Sequence, residues 1–128
     1  MTKTSVRKNL MNESSPSDDE LVELLTLTVT VNSLGNIVYR NKLGQKHRIH
    51  GPACIYPNGS MSWYQNGQLH RDSGPSVISA DGTNRWYKNG KRHREDGPAI
   101  THENGTRQWA LYDRLISEAT FNDRVKYP

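Results

Sequence analysis

The stretch WYKNGKRHREDGPA, Trp86 to Ala99, decides how this chain is read, because the chain writes it more than once. WYQNGQLHRDSGPS runs from Trp63 to Ser76, starting 23 residues earlier, and a looser copy, YRNKLGQKHRIHGPA, runs from Tyr39 to Ala53. Aligned on these, the chain falls into four lines: residues 35–58, 59–81, 82–104 and a shortened fourth from Gly105. Gly59, Gly82 and Gly105 are 23 apart, and so are Trp63, Trp86 and Trp109. His47, His70 and His93 keep the same step, each followed by an arginine and then by Gly51-Pro52, Gly74-Pro75 or Gly97-Pro98. The first line holds one extra residue between Tyr39, in the tryptophan slot, and Gly44. A period of this length marks a tandem repeat whose units stack on one another.

Backbone chemistry assigns the slots. Asn66-Gly67 and Asn89-Gly90 lie between an aromatic run and a second extended run, and Asn-Gly favours a type I′ hairpin turn, with positive φ at both residues. Asn58-Gly59, Asp81-Gly82 and Asn104-Gly105 read as turns of the same kind. Each Gly-Pro marks a bend before a strand, since proline lacks the N–H a central strand donates. The expected fold is therefore mainly β: an elongated, twisted antiparallel sheet of tandem hairpin repeats, with a looped shoulder at each His-Arg-x-x-Gly-Pro segment. Tyr39, Trp63, Trp86 and Trp109 would form a cross-strand aromatic ladder supplying most of a thin core. Structural slots of the repeat include Gly67, Gly90, Gly74, Gly97, Pro75 and Pro98.

Outside the repeat, residues 1–16 read as a flexible polar tail and 17–34 as an N-terminal helix/strand cap. The repeat domain spans 35–113, and 114–128 forms a C-terminal cap. Ser17-Asp18-Asp19-Glu20 is a capping box at the start of a helix. That helix is expected to be short, because Leu25, Leu27, Val29 and Val31 alternate with threonines as a strand does. The aliphatic face of this strand would cover the first repeat. The segment from Ser117 fits either a helix or a loose arm.

Composition narrows the function. Hydrophobic residues are only 33% of the chain, which fits a thin core. The net charge is +4, with 14 Lys/Arg against 8 Asp/Glu from Gly35 onward. The N-terminus has no apolar stretch of the secretory kind, and nothing reads as a transmembrane span. The single cysteine, Cys54, occupies the slot of Val77 and Ile100 and reads as a small apolar residue. A cytoplasmic location is expected.

The motif W-Y-x-N-G-x-x-H-R-x-D-G-P-A, carried by residues 86–99 and their copies, resembles the divergent MORN-type repeats of bacteriophage and large-virus proteins. The resemblance covers residues 35 to about 113. It implies a sheet serving as a scaffold or binding surface, and a viral origin, which would place the protein in the host cytoplasm. Departures fall at the ends: Tyr39 replaces tryptophan, Ile49-His50 replace the acidic pair, and the fourth unit runs into ALYDRLISEATF.

No catalytic constellation breaks the repeat, so an enzyme is not expected, and neither a cofactor nor a metal is called for. Three histidines can hold zinc. Here, however, they would lie about two strand spacings of 4.7–4.9 Å apart per unit, too far to converge on one ion. The reading of these histidines is that each packs or hydrogen-bonds across to the loop of the next repeat. The aspartates before Gly-Pro read as turn residues accepting backbone N–H groups. Candidate binding residues are His70, Arg71, His93 and Arg94, together with Arg85, Tyr87, Lys88, Lys91 and Arg92. The expected function is a non-catalytic protein-protein interaction module that binds or occludes a host factor, able to self-associate through sheet edges and without a membrane partner. The alternative is nucleic-acid binding by the basic and aromatic surface of the third repeat.

Overall fold

The computed structural model describes residues 15–126, with side chains to residue 124. The tail expected over residues 1–16 lies outside them, save Ser15 and Pro16. Helix α1 (Asp18–Thr26) and strand β1 (Thr28–Val31) lead into β2 (Ile37–Arg40). The first full repeat boundary gives β3 (Cys54–Ile55) and β4 (Met61–Ser62), followed by β5 (Tyr64–Gln65) and β6 (Gln68–Leu69). The next period repeats this with β7 (Val77–Ile78), β8 (Asn84–Arg85), β9 (Tyr87–Lys88) and β10 (Lys91–Arg92). The chain closes with β11 (Ile100–Thr101), β12 (Arg107–Leu111), β13 (Arg114–Ile116) and helix α2 (Glu118–Lys126).

These strands form one large antiparallel sheet of nine, in the order β1-β2-β3-β4-β7-β8-β11-β12-β13, plus two small ribbons, β5-β6 and β9-β10. The mainly β expectation holds, with a rearrangement. The Asn-Gly hairpins form the ribbons, while the large sheet is built from hairpins that straddle the unit boundaries: β3-β4, β7-β8 and β11-β12.

Turn chemistry explains the division. Asn66 and Gly67 have φ of 51° and 82°, and Asn89 and Gly90 have 50° and 81°, the double positive φ of a type I′ turn. At the unit boundaries only glycine is left-handed (Gly59 93°, Gly82 95°, Gly105 88°), so these turns are not of the same kind. There the Gly59 N–H donates to the Tyr56 carbonyl at 3.0 Å and the Tyr56 N–H to Ser60 at 2.9 Å. That is a type I turn closed by a glycine bulge, and the Asn58 side chain caps it by accepting the Ser60 N–H at 2.9 Å. The extra residue of the first unit has the same cause: Asn41 to Gln45 form a bulged turn, with Gly44 N–H on the Asn41 carbonyl at 2.9 Å, in place of a two-residue turn.

The core is thin, and of the aromatic ladder only Trp63 is buried in it, Tyr39, Trp86 and Trp109 being half-buried. Ala53, Ser76, Ala99 and Ala110 are fully buried, with Cys54, Ile100, Trp63 and Phe121 beside them. The backbone N–H of Tyr39, Trp63 and Trp86 donates to the carbonyls of Ala53, Ser76 and Ala99 at 2.8, 2.7 and 2.7 Å. That pairing brings the aromatic segment close over the residue after Gly-Pro, where only a small side chain fits.

At the ends, the capping box forms as expected: Glu20 N–H to Ser17 Oγ and Ser17 N–H to Glu20 Oε1, both at 3.2 Å. The helix runs on through Leu25 to Thr26, longer than the alternation implied. Leu21, Leu24 and Leu25 also satisfy helical spacing, and the Thr26 hydroxyl donates back to the Glu23 carbonyl at 2.8 Å. At the other end the sheet continues past residue 113, because Tyr112 and Asp113 form the turn between β12 and β13. The segment after it is a helix. Thr120 N–H donates to Ser117 Oγ at 3.0 Å, and α2 buries Phe121.

Candidate functional site

The shoulder loops are built around arginine. Arg48 lies over the Tyr39 ring at 4.1 Å, Arg71 over Trp63 at 3.9 Å and Arg94 over Trp86 at 3.9 Å, measured from Cζ to ring centroid. A methyl group on Gly51, Gly74 or Gly97 would stand 2.7, 2.9 or 2.8 Å from that same carbon. Each guanidinium is thus sandwiched between an aromatic face and a bare glycine. Nη1 donates onward to the carbonyl of Pro52, Pro75 or Pro98 at 3.4, 3.1 and 3.2 Å. The Gly-Pro pair is as much an arginine socket as a bend, and each such stack contributes about 0.5–2 kcal/mol. Burial lowers the Arg71 pKa from its ordinary value, although an arginine stays charged.

The histidines join one unit to the next, as expected. Nδ1 of His47, His70 and His93 accepts the backbone N–H of Asn66, Asn89 and Tyr112 at 2.9, 3.0 and 3.0 Å. An N–H can only donate, so Nδ1 carries the lone pair and Nε2 the proton. Nε2 then donates to Asp72 at 3.1 Å in the second unit and to Glu95 at 2.9 Å in the third. The acidic residues before Gly-Pro therefore orient histidine, or arginine in the case of Asp96, rather than accept turn N–H groups. Two backbone bonds repeat beside each strut. Gly67 and Gly90 N–H donate to Lys46 and Leu69 carbonyls at 2.9 and 2.8 Å, while Arg48 and Arg71 N–H donate to Tyr64 and Tyr87 carbonyls at 3.0 and 3.3 Å.

The fourth unit shows the strength of this junction. Tyr112 and Asp113 take φ of 50° and 70° without any glycine, a strain of about 1–3 kcal/mol each. His93 holds the Tyr112 N–H, and Arg92 Nε reaches Asp113 Oδ1 at 2.8 Å.

The basic and aromatic cluster of the third repeat is divided by the fold. Arg85 lies in the large sheet and donates to Ser79 Oγ at 3.3 Å. Arg92 is paired with Asp113, and Arg94 with Asp96 at 2.8 Å. Tyr87 is half-buried, its backbone N–H and carbonyl bonded to Ser76 Oγ at 3.0 and 2.9 Å. Lys88 and Lys91 face each other across the β9-β10 ribbon and are exposed.

Between successive shoulders lie two equivalent notches, each of about 380 Å³. The first is bounded by Ile49 and His50 on one side and by His70, Arg71 and Asp72 on the other, with Trp63 in its lining. The second is bounded by Arg71 and Asp72 and by Arg94, Glu95 and Asp96, with Trp86 in its lining.

A second surface lies at the N-terminal edge, where the aliphatic residues of Leu25–Val31 read in the sequence either as a cap or as a surface for a partner chain. Helix α1 has no buried residue: Leu21, Val22, Leu24 and Leu25 are all exposed. Strand β1 pairs with β2 along its whole length, yet Val29 and Val31 are exposed too, so its aliphatic face does not cover the first repeat. What fixes α1 is Glu23, whose side chain is only 9% exposed. Its carboxylate accepts the backbone N–H of Ile49 at 2.6 Å and of His50 at 3.0 Å, and His50 Nδ1 lies 3.1 Å away. Burial pushes the Glu23 pKa up, but the His50 and Ile49 N–H groups outweigh it and hold the carboxyl below its ordinary value.

Fold and sites together define a short-repeat antiparallel β protein with a shoulder ridge and an apolar N-terminal edge. No protein-family model, curated protein or solved structure matches the chain. Among the described residues no helix is long and apolar enough to cross a membrane.

Proposed function

We propose that the protein is a non-catalytic protein-protein interaction module that engages its partner through α1 and β1. One observation carries this reading: Leu21, Val22, Leu24, Leu25, Val29 and Val31 are all exposed, on an outer sheet strand and the helix just before it. Outer strands offer unpaired N–H and C=O groups for strand addition, and apolar side chains concentrated beside them mark an interface. Given the resemblance to viral repeat proteins, the partner is a host protein that this edge occludes. Nucleic-acid binding is the second reading, favoured by the exposed Lys88 and Lys91 opposed across one ribbon.

A tagged pull-down from host lysate, with and without nuclease, separates the two. The interaction reading expects one dominant protein that survives nuclease and is lost in a Leu25→Ser, Val31→Ser double variant. Both positions are exposed, so the variant should unfold at the wild-type temperature. Recovery that vanishes with nuclease and with Lys88→Gln, Lys91→Gln would replace the first reading by the second.

A further inference from the structure

We infer that the shoulder ridge is a docking groove for a polyproline II segment carrying an apolar residue and, three positions along, a lysine or arginine. This surface adjoins the α1-β1 edge, because Glu23 of α1 holds the Ile49-His50 wall, but it uses none of the apolar side chains of that edge.

The pitch of the ridge matches that of such a segment. Each unit adds two strands to the large sheet, β4 to β8 and β8 to β12 each being two steps. Equivalent points on the ridge therefore recur about every 9.4–9.8 Å, at the usual strand spacing. A polyproline II helix advances about 3.1 Å per residue with three residues per turn, so its equivalent side chains recur about every 9.3 Å. An extended β-strand ligand repeats at about 6.6–6.8 Å and falls out of step with the notches at once. The two notches have the same volume, and the Arg71-Asp72-Ser73 loop is their common wall.

The chemistry of the walls sets the register. In the notch between the first and second shoulders one wall is Ile49, which is 55% exposed, and the lining includes Trp63. Ile49 stands where Asp72 stands in the next notch, and an apolar side chain suits that wall. In the next notch, carboxylates stand on both walls: Asp72, Glu95 and Asp96 side chains are 70, 69 and 80% exposed. The arginines of the same loops are drawn back onto the tryptophans, Arg94 being 24% exposed. The arginine cations are thus recessed, while the carboxylates and Lys88, 53% exposed, protrude, and a cationic side chain of the ligand suits this second position in place of Lys88. Lys88, 3.9 Å from Asp72, is the group such a side chain would displace.

The test is a fluorescence-anisotropy titration of the full chain with a labelled peptide of sequence Pro-Pro-Leu-Pro-Pro-Arg-Pro-Pro. Its comparators are a peptide with Glu in place of Arg and one with an extra proline between Leu and Arg. The inference expects the first peptide to bind at least about tenfold more tightly than either comparator, the difference one well-placed contact makes. Ile49→Ser and Asp96→Asn should each weaken binding several-fold with unchanged thermal midpoints, and Lys88→Gln should strengthen it. Leu25→Ser should leave it unaltered. Equal affinity for the three peptides would reduce the ridge to a nonspecific surface and overturn the proposal. So would the absence of saturable binding, or affinities insensitive to Ile49→Ser and Asp96→Asn.

Discussion

The first shoulder and the third perform the same task with different means. In the third, Arg94 stacks on Trp86 and places its Nε on Asp96 at 2.8 Å, while His93 gives its Nε2 proton to Glu95 at 2.9 Å. Both carboxylates come from the loop itself. In the first, those positions are Ile49 and His50. Arg48 still stacks on Tyr39, but its Nε is buried without a hydrogen-bond partner among the described residues, and an orphaned buried donor costs about 1–3 kcal/mol. The carboxylate that serves this loop arrives from outside, as Glu23 of α1, and binds the backbone of Ile49 and His50 instead. An internal unit is therefore self-contained, whereas the end unit has given up its own acids and become the dock for a helix. Repeat arrays need atypical ends, and here the loss of the two acids comes with a tyrosine for tryptophan at Tyr39 and a bulged turn at Asn41–Gln45.

The largest effect separating the two shoulders should come from the aromatic beneath the arginine. Trp86→Ala is expected to destabilise the chain by about 3–5 kcal/mol, as truncation of a packed aromatic does. Tyr39→Ala should cost less, because freeing Arg48 also returns its orphaned Nε to water. Equal losses in chemical denaturation would break the contrast drawn here.

Next is the tether of α1. Glu23→Gln should weaken the helix dock by about 1.5–3 kcal/mol, the range for hydrogen bonds to a charged acceptor. The readout is hydrogen exchange at the Ile49 and His50 amides, which should accelerate while the β7-β8 amides stay protected. Acid should act on the same tether. The folded Glu23 pKa lies below the unfolded one, so this contribution is complete above the ordinary carboxylate range and is lost as the pH falls through the folded value. In Glu23→Gln the exchange rates of those two amides should show no added loss of protection from this group in acid.

The smallest effect sharpens the comparison most. His50→Asp restores at the first shoulder the residue that Asp96 supplies at the third. It should give the buried Arg48 Nε a partner, a gain of about 1–3 kcal/mol that the loss of the α1 dock offsets. The new carboxylate would face Glu23 and release α1. Thermal stability held or raised, with faster amide exchange along α1, is the expected pair of results. A helix still docked in this variant would show that Glu23 is not what holds it.

How much of this was legible depended on distance along the chain. The repeat frame, the two Asn-Gly turns and the capping box at Ser17 rest on residues a few positions apart, and their backbone chemistry is written locally. The histidine struts could be anticipated too, since identical residues at one period must meet identical neighbours. The sequence did not show that Gly-Pro is an arginine socket, because His-Arg and Gly-Pro read equally well as polar loop and bend. The turn at Tyr112-Asp113 carries no glycine, and only contacts from His93 and Arg92 hold it left-handed.

By itself, then, the sequence determined the period, the mainly β class and the type of the two-residue turns, all consequences of φ preferences and proline's missing N–H. Tertiary structure decided which hairpins enter the large sheet and which remain as ribbons. It also decided where the guanidinium groups lie, and that Glu23 serves a loop 26 and 27 residues further on. Strand partners, stacking faces and burial depend on what arrives from distant segments, and a local alternation of apolar and polar residues is compatible with more than one such arrival. The apolar face of β1 reads as covered in the sequence and stands exposed in the fold because nothing among the described residues packs over it.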